Sequence, residues 1–144
     1  MGQLGCRASS SSRDALITPI SFLSFITAAN GQRNLAMMAA TLANGGTNPV
    51  TKKKVVSPQT VAHVLPVMAT AGLYDDSGIW FYNVGLPAKS GVGGGIIAIV
   101  PGKFGIAAFS PRLDQAGNSV RAQKAITDIV EKLNLNPYLV QKGF

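Results

Sequence analysis

The sequence has very few of the residues from which redox and metal sites are built. It contains one cysteine, Cys6, and one histidine, His63, among 144 residues. One cysteine excludes an internal disulfide framework and is compatible with a reducing compartment, so we expect a cytoplasmic location. These two residues cannot supply a zinc-type ligand spacing, and we predict neither a metal nor a cofactor. His63 lies within an apolar helical pattern, which favours a packed or partly exposed helix residue over a catalytic base.

Acidic and aromatic residues are also scarce. The chain has 13 basic residues against six acidic ones, a formal charge of +7, and only 7% aromatic residues. This charge raises the question of an anionic partner, but the basic residues are scattered except for Lys52-Lys53-Lys54. That run lies between Pro49 and Pro58 and is typical of a solvated loop. A nucleic-acid binder is therefore the weakest of the functions considered, and we expect no nucleic-acid partner.

No apolar run is long enough for a membrane-spanning helix. The most apolar segment, residues 15–29, contains Pro19 and falls short of the ~20 residues that a spanning helix needs, so we expect no membrane partner. Residues 1–18 begin with a Gly- and Ser-rich stretch that lacks periodicity, which predicts a disordered tail. With 47% hydrophobic residues, the rest can form one domain over residues 19–136, followed by a second tail at 137–144.

Apolar spacing and turn residues predict helices packed on a small antiparallel sheet of about three strands, an α+β fold. Helices are expected at residues 20–28, 33–43, 58–71 and 119–133, the last capped by Asn118. Strands are expected at residues 79–84, 95–100 and 104–109. We expect the last helix to cover one face of the sheet.

The stretch A-K-S-G-V-G-G-G, from Ala88 to Gly95, has the most distinctive composition. Its simplest interpretation is a Gly-rich hairpin turn between two strands. Its glycines do not fit G-x-G-x-x-G, and no G-K-[ST] closes it, so two familiar phosphate-binding motifs are excluded. Lys89-Ser90-Gly91 has the form of the K-T-G element of serine β-lactamases and penicillin-binding proteins. Both interpretations stay open on these residues alone.

Several motifs occur in a fixed order: L-A-N-G-G at 42–46, V-S-P at 56–58, G-L-Y-D at 72–75, S-G at 77–78, V-G-L-P-A-K-S-G-V-G-G-G at 84–95 and S-P-x-L-D-x-x-G-N-S at 110–119. Together they resemble the C-terminal half of the serine-dependent glutaminases, over roughly residues 19–135. The fold of that family is serine β-lactamase-like, in agreement with the K-T-G form.

The resemblance implies hydrolysis of L-glutamine to L-glutamate and ammonia by a serine that a lysine three residues later activates. It also implies that the backbone N–H of Val92 is one of the donors that stabilise the oxyanion intermediate. Tyr74 matches a tyrosine that contacts glutamine and takes part in proton transfer, although by composition alone it is a turn aromatic. Lys89, Ser90 and Gly91 would support the strand edge that carries Val92.

The sequence departs from the family at the nucleophile. No serine in the chain is followed by lysine three positions later, and the upstream Asn and Glu that hold the amino-acid end of glutamine precede the matching region. Phe22 stands where the family has a substrate-contacting tyrosine. We therefore expect a partial, inactive form of a glutaminase. The alternative is a non-catalytic binding or assembly module that associates with itself or with a full-length relative, and in either case we expect a homo-oligomer.

Overall fold

A four-stranded antiparallel sheet runs through the centre of the structure, a computed structural model that describes residues 15–19 and 30–139. The strands are β1 (Ala15–Pro19), β2 (Ala88–Gly91), β3 (Gly95–Val100) and β4 (Phe104–Phe109), arranged in the order β1-β4-β3-β2. The helices are α1 (Asn30–Ala43), α2 (Pro58–Ala71), α3 (Ser77–Val84) and α4 (Val120–Lys132), and one turn of 3-10 helix, Tyr74–Asp76, precedes α3. The α+β class is confirmed, with one strand more than the three expected.

Helices cover both faces of the sheet. Residues of β3 alternate between the two faces, and all of them from Ile96 to Val100 are buried. Ile96 and Ala98 pack with Ile126 of α4 on one face, as predicted for the last helix. Ile97 and Ile99 pack on the other face with alanines of α1. The central strands are therefore apolar throughout, as expected for a sheet covered on both sides.

The segment predicted as the first strand, residues 79–84, is helical, and this prediction is wrong. Ser77, Trp80 and Val84 are buried at a spacing of three and four residues, which places them on one face of α3. The Trp80 Nε1–H donates to the Leu86 carbonyl at 2.9 Å, and Gly85 ends the helix in a left-handed conformation with φ 73°. Burial of this face outweighs the strand propensity of the aromatic run, because propensity is a weak preference that packing overrides.

The remaining predicted elements are found with small shifts. Ser57 caps α2, and its Oγ accepts from the Thr60 N–H at 3.0 Å. The cap of α4 is Ser119, one residue after the predicted Asn118. Residues 15–18, placed in a tail by the sequence, form part of β1, whereas residues 1–14 and the helix predicted at 20–28 lie outside the described residues. Within the described part of the chain, no helix combines the length and apolar character needed to cross a bilayer.

Candidate active site

The stretch Ala88 to Gly95 forms the edge strand β2 and the tight turn that leads into β3. The Ser90 N–H points away from β3 and donates to the Gly72 carbonyl at the end of α2, with an N–O distance of 2.9 Å. Val92 follows β2 directly and is the first residue of the turn. The Gly94 N–H closes the turn on the Gly91 carbonyl at 2.8 Å. The stretch is thus an edge strand followed by a hairpin turn, and the K-T-G interpretation of Lys89-Ser90-Gly91 stays a prediction.

The Val92 amide lies in the turn that follows the edge strand. Among residues 30–139, no carbonyl or side chain accepts a hydrogen bond from the Val92 N–H, and its side chain is 69% exposed. An edge strand ordinarily presents unpaired backbone groups to whatever lies beside it. As far as the described residues are concerned, the Val92 N–H is therefore open to an acceptor such as a developing oxyanion.

Tyr74 lies in the turn before α3 and has a strained backbone. Its φ is 50°, a left-handed value that non-glycine residues seldom adopt. The Ser77 Oγ–H donates to the Tyr74 carbonyl at 2.7 Å, and Ser77 Oγ accepts from the Leu73 N–H at 2.9 Å. Such strain persists only where the surroundings hold it, and it is concentrated at functional sites.

Lys89 connects Tyr74 with the edge strand. Its Nζ lies 4.8 Å from the centroid of the Tyr74 ring, within range of a cation–π interaction, and it donates to the Ser90 carbonyl. The Lys89 side chain is thereby held between the tyrosine and the strand. Ser90 itself is buried, and within residues 30–139 its Oγ has no hydrogen-bond partner.

Gly117 closes the cluster from the loop before α4. A Cβ atom built on Gly117 would lie 3.6 Å from Val92 Cγ1 and 3.8 Å from Tyr74 Cε2. The structure therefore brings together Tyr74, Lys89, Ser90 and Val92, the residues that the sequence singles out. Gly117 was not singled out, although the G-N-S motif at 117–119 contains it. Motif order places that loop in the domain but says nothing about which residues it contacts.

Asp114 organises this loop by accepting several hydrogen bonds. Its Oδ1 accepts from the Asn118 N–H at 2.8 Å, and its Oδ2 accepts from Gln123 Nε2 at 2.7 Å. Burial acts to raise the pKa of Asp114, but the hydrogen bonds from Asn118, Gln123 and two further backbone N–H groups outweigh it and lower the pKa. The ionised carboxylate therefore ties this loop to the first turns of α4 through Gln123.

A depression of about 360 Å³ lies on the α1 side of the edge strand. Leu35, Met38, Ile97 and Phe109 form its apolar walls, and Lys89 is the only charged residue among those that line it. Small polar molecules bind in sites of this kind, where apolar walls surround a few polar groups. Lys89 thus borders both this depression and the Tyr74 ring.

His63 is exposed on the outer side of α2, away from this cluster. In the described ranges, no group of three His, Cys, Asp or Glu side chains is close enough together to hold a metal ion. The chemistry available at the cluster is therefore that of a backbone N–H donor, a phenol and an ammonium group.

Comparison with known proteins points to one family. A family model described as Glutaminase matches residues 22–138. The glutaminase of Colwellia psychrerythraea is 64% identical over 104 residues, covering 72% of this chain and 33% of that protein. A glutaminase of Mycobacterium ulcerans is 58% identical over 107 residues, covering 74% of this chain and 33% of that protein. The chain spans about a third of the length of these curated relatives.

Solved structures agree with this likeness. A probable glutaminase, YbaS, superimposes with a TM-score of 0.71 at 54% identity, over 74% of this chain and 34% of that one. A probable glutaminase from Bacillus subtilis complexed with 6-diazo-5-oxo-L-norleucine has a TM-score of 0.71 at 30% identity, over 74% of this chain and 37% of that one.

Proposed function

The chain belongs to the glutaminase family, and we propose that it forms the part of a glutaminase active site that supplies an oxyanion donor and a tyrosine. The reaction is the hydrolysis of L-glutamine to L-glutamate and ammonia. The observation that carries this proposal is the Val92 N–H, which has no acceptor within the described part of the chain and lies in the turn after the edge strand, near Tyr74.

In the proposed reaction, a nucleophilic oxygen attacks the carbon of the glutamine side-chain amide. The carbonyl oxygen then becomes an oxyanion, which the Val92 N–H stabilises by donating a hydrogen bond. Tyr74 assists proton transfer to the leaving nitrogen, the C–N bond breaks, and ammonia departs. Water then hydrolyses the acyl intermediate and releases L-glutamate.

Three neighbouring residues of the edge strand support the position of Val92 and Tyr74. Gly91 joins the edge strand to the turn, Ser90 ties the edge to Gly72, and Lys89 fixes the orientation of the Tyr74 ring. We propose that these three residues keep the Val92 N–H directed at the reacting carbonyl. The nucleophile is not among them, because the chain has no S-x-x-K sequence.

A chimeric enzyme tests the proposal. The matching segment of the Colwellia psychrerythraea glutaminase is replaced by this chain's matching residues, which supply Tyr74 and Val92 in a complete domain. We expect the chimera to hydrolyse glutamine, and we expect Val92→Pro to lower kcat at least about 100-fold because it removes an oxyanion donor.

Val92→Ala is the matched control, because it shortens an exposed side chain but keeps the N–H. It should retain nearly all the activity of the chimera. Equal losses in Val92→Pro and Val92→Ala would contradict the assignment of the amide, and an inactive parent chimera would contradict the proposed function.

We also propose that the chain associates with itself and resides in the cytoplasm. The outer side of α2 exposes Val67 at 62% and forms an apolar depression with Val64 and Met68. We propose that two copies of the chain associate through this depression, because association would remove the exposed Val67 side chain from water. Light scattering at several concentrations tests self-association, and a mass of one chain at all concentrations would contradict it. The single cysteine supports a reducing compartment.

A further inference from the structure

Asn118 is completely buried and bonds to both sides of Tyr74. Its Nδ2 group donates to the Leu73 carbonyl at 3.2 Å and to Asp76 Oδ2 at 3.1 Å. These acceptors lie one residue before and two residues after Tyr74. The side-chain amide of Asn118 therefore spans the turn in which Tyr74 takes its left-handed conformation.

The turn is held from two independent directions. On the α3 side, Ser77 Oγ accepts a hydrogen bond from the Leu73 N–H and donates one to the Tyr74 carbonyl. On the α4 side, Asn118 is the residue whose side chain reaches the turn, across 45 positions of sequence from Leu73 and 42 from Asp76. Bonds from both sides are what a strained backbone needs, because a left-handed tyrosine relaxes when its surroundings loosen.

Asn118 is itself fixed in place. Its N–H donates to Asp114 Oδ1 at 2.8 Å, and the Asp114 N–H donates to the Asn118 carbonyl at 2.8 Å. The next residue, Ser119, caps α4. The side-chain amide thus extends from a rigid helix start rather than from a free loop.

We infer that Asn118 is a positioning residue for Tyr74: through Leu73 and Asp76 it holds the tyrosine ring against Lys89 and beside Val92. Its importance for catalysis rests on the proposed function. The placement of the Tyr74 ring by Asn118 does not depend on that function, and it can be tested without substrate.

Lys89 supplies the signal for the test. Its ammonium lies over the Tyr74 ring, so in proton NMR of the full chain the ring current shifts the Lys89 ε-methylene resonance upfield. Tyr74→Leu removes the ring and gives the unshifted reference position. In Asn118→Ala, we expect at least half of this upfield shift to be lost.

Ser119→Ala is the matched control, because it removes a buried side-chain hydrogen bond next to Asn118 but touches neither Leu73 nor Asp76. It should lower Tm while the Lys89 resonance stays in place. The double variant Asn118→Asp with Asp76→Asn exchanges donor and acceptor, and it should recover part of the upfield shift lost in Asn118→Asp.

Asp76→Ala keeps the test decisive if Asn118→Ala does not fold, since Asp76 is partly exposed. It removes one of the two bonds and should cause a smaller loss of shift in the same direction. The inference is overturned by an unchanged Lys89 resonance in folded Asn118→Ala, by an equal loss in Ser119→Ala, or, where Asn118→Ala is unfolded, by no loss in Asp76→Ala. Because no turnover is measured, these outcomes are independent of the chimera experiment.

Discussion

At the scale of single residues, most side chains of the candidate site fix backbone conformation, and Tyr74 is the side chain to which we assign a part in the reaction. Val92 offers an N–H, and Tyr74 has a strained φ of 50°. Ser77 and Asn118 hold the Tyr74 turn, and Asp114 holds the loop that contains Asn118. A substitution at these supporting positions should therefore act on the site through stability and orientation.

Asp114 gives a pH-dependent prediction at this scale. Its folded-state pKa lies below the usual value of 3.8, so its ionised form stabilises the fold above that pH, and the contribution is lost as the pH falls through the folded-state pKa. We expect Asp114→Asn to lower the free energy of unfolding by about 1 kcal/mol at pH 7, because hydrogen bonds to a charged acceptor weaken. The difference in free energy of unfolding between Asp114→Asn and the parent chain should become smaller below pH 3.8. Urea unfolding at pH 7 and about pH 3 measures both values.

Asp128→Asn is the control for Asp114→Asn. Asp128 pairs with Lys124 on the exposed face of α4 at 3.2 Å, and exposed pairs of this type contribute about 0.3–0.5 kcal/mol. A pH-independent difference for Asp114→Asn, or an equal effect of Asp128→Asn at pH 7, would contradict the role assigned to Asp114.

At the scale of elements, the close approach of α1 to β4 requires a residue without a side chain. A Cβ atom on Gly105 would lie 2.4 Å from the Ala39 carbonyl carbon and 2.5 Å from the Ala40 nitrogen. These are backbone atoms of a helix, which cannot move separately. We expect Gly105→Ala to lower the free energy of unfolding by about 3 kcal/mol, since overpacking forces the helix away from the sheet. Thermal and urea unfolding measure the loss.

Gly31→Ala is a matched control that should change the free energy of unfolding in the opposite direction. Gly31 lies in the first turn of α1, and a Cβ atom there would have no atom of the described residues within 4 Å. Alanine favours helix over glycine by up to about 1 kcal/mol, so this variant should be at least as stable as the parent chain. If Gly105→Ala were equally well tolerated, the close approach of α1 and β4 would not be what holds that face together.

Elements with local signals were predictable from the sequence, and those formed by distant contacts were not. The spans of β3 and β4 were predicted as observed, because apolar runs bounded by Pro101-Gly102 and Ser110-Pro111 mark their ends. The sequence predicts a turn where the structure has β2. Lys89, Ser90 and Gly91 have little strand preference, and they pair with β3 only in the fold. The helix α3 was misread because its aromatic residues favour strands locally, whereas Trp80 bonds to Leu86 only after folding.

At the scale of the whole molecule, the candidate site combines residues that the sequence suggests with others that only the fold reveals. The motifs that resemble the glutaminases contain Tyr74, Lys89, Ser90 and Val92. The sequence alone therefore suggests these four as candidate site residues. Asn118 lies in such a motif too, but was expected to cap a helix. Its actual role depends on bonds to Leu73 and Asp76, more than 40 positions away. Contacts over such distances carry no local signature.

The chain as a whole should bind the transition state of glutamine hydrolysis incompletely and should not catalyse it. Its 144 residues contain no S-x-x-K, and without an activated nucleophile the oxyanion that Val92 would stabilise does not form. We expect ammonia release from L-glutamine to equal a control without protein.

We also expect intact-mass measurement to show no covalent product with 6-diazo-5-oxo-L-norleucine. A Bacillus subtilis glutaminase, which forms a covalent complex by reaction with this compound, is the positive control. Cys6→Ser separates reaction at the lone thiol from reaction at a serine. Steady ammonia release, or an adduct that persists in Cys6→Ser, would mean that another residue of this chain serves as the nucleophile.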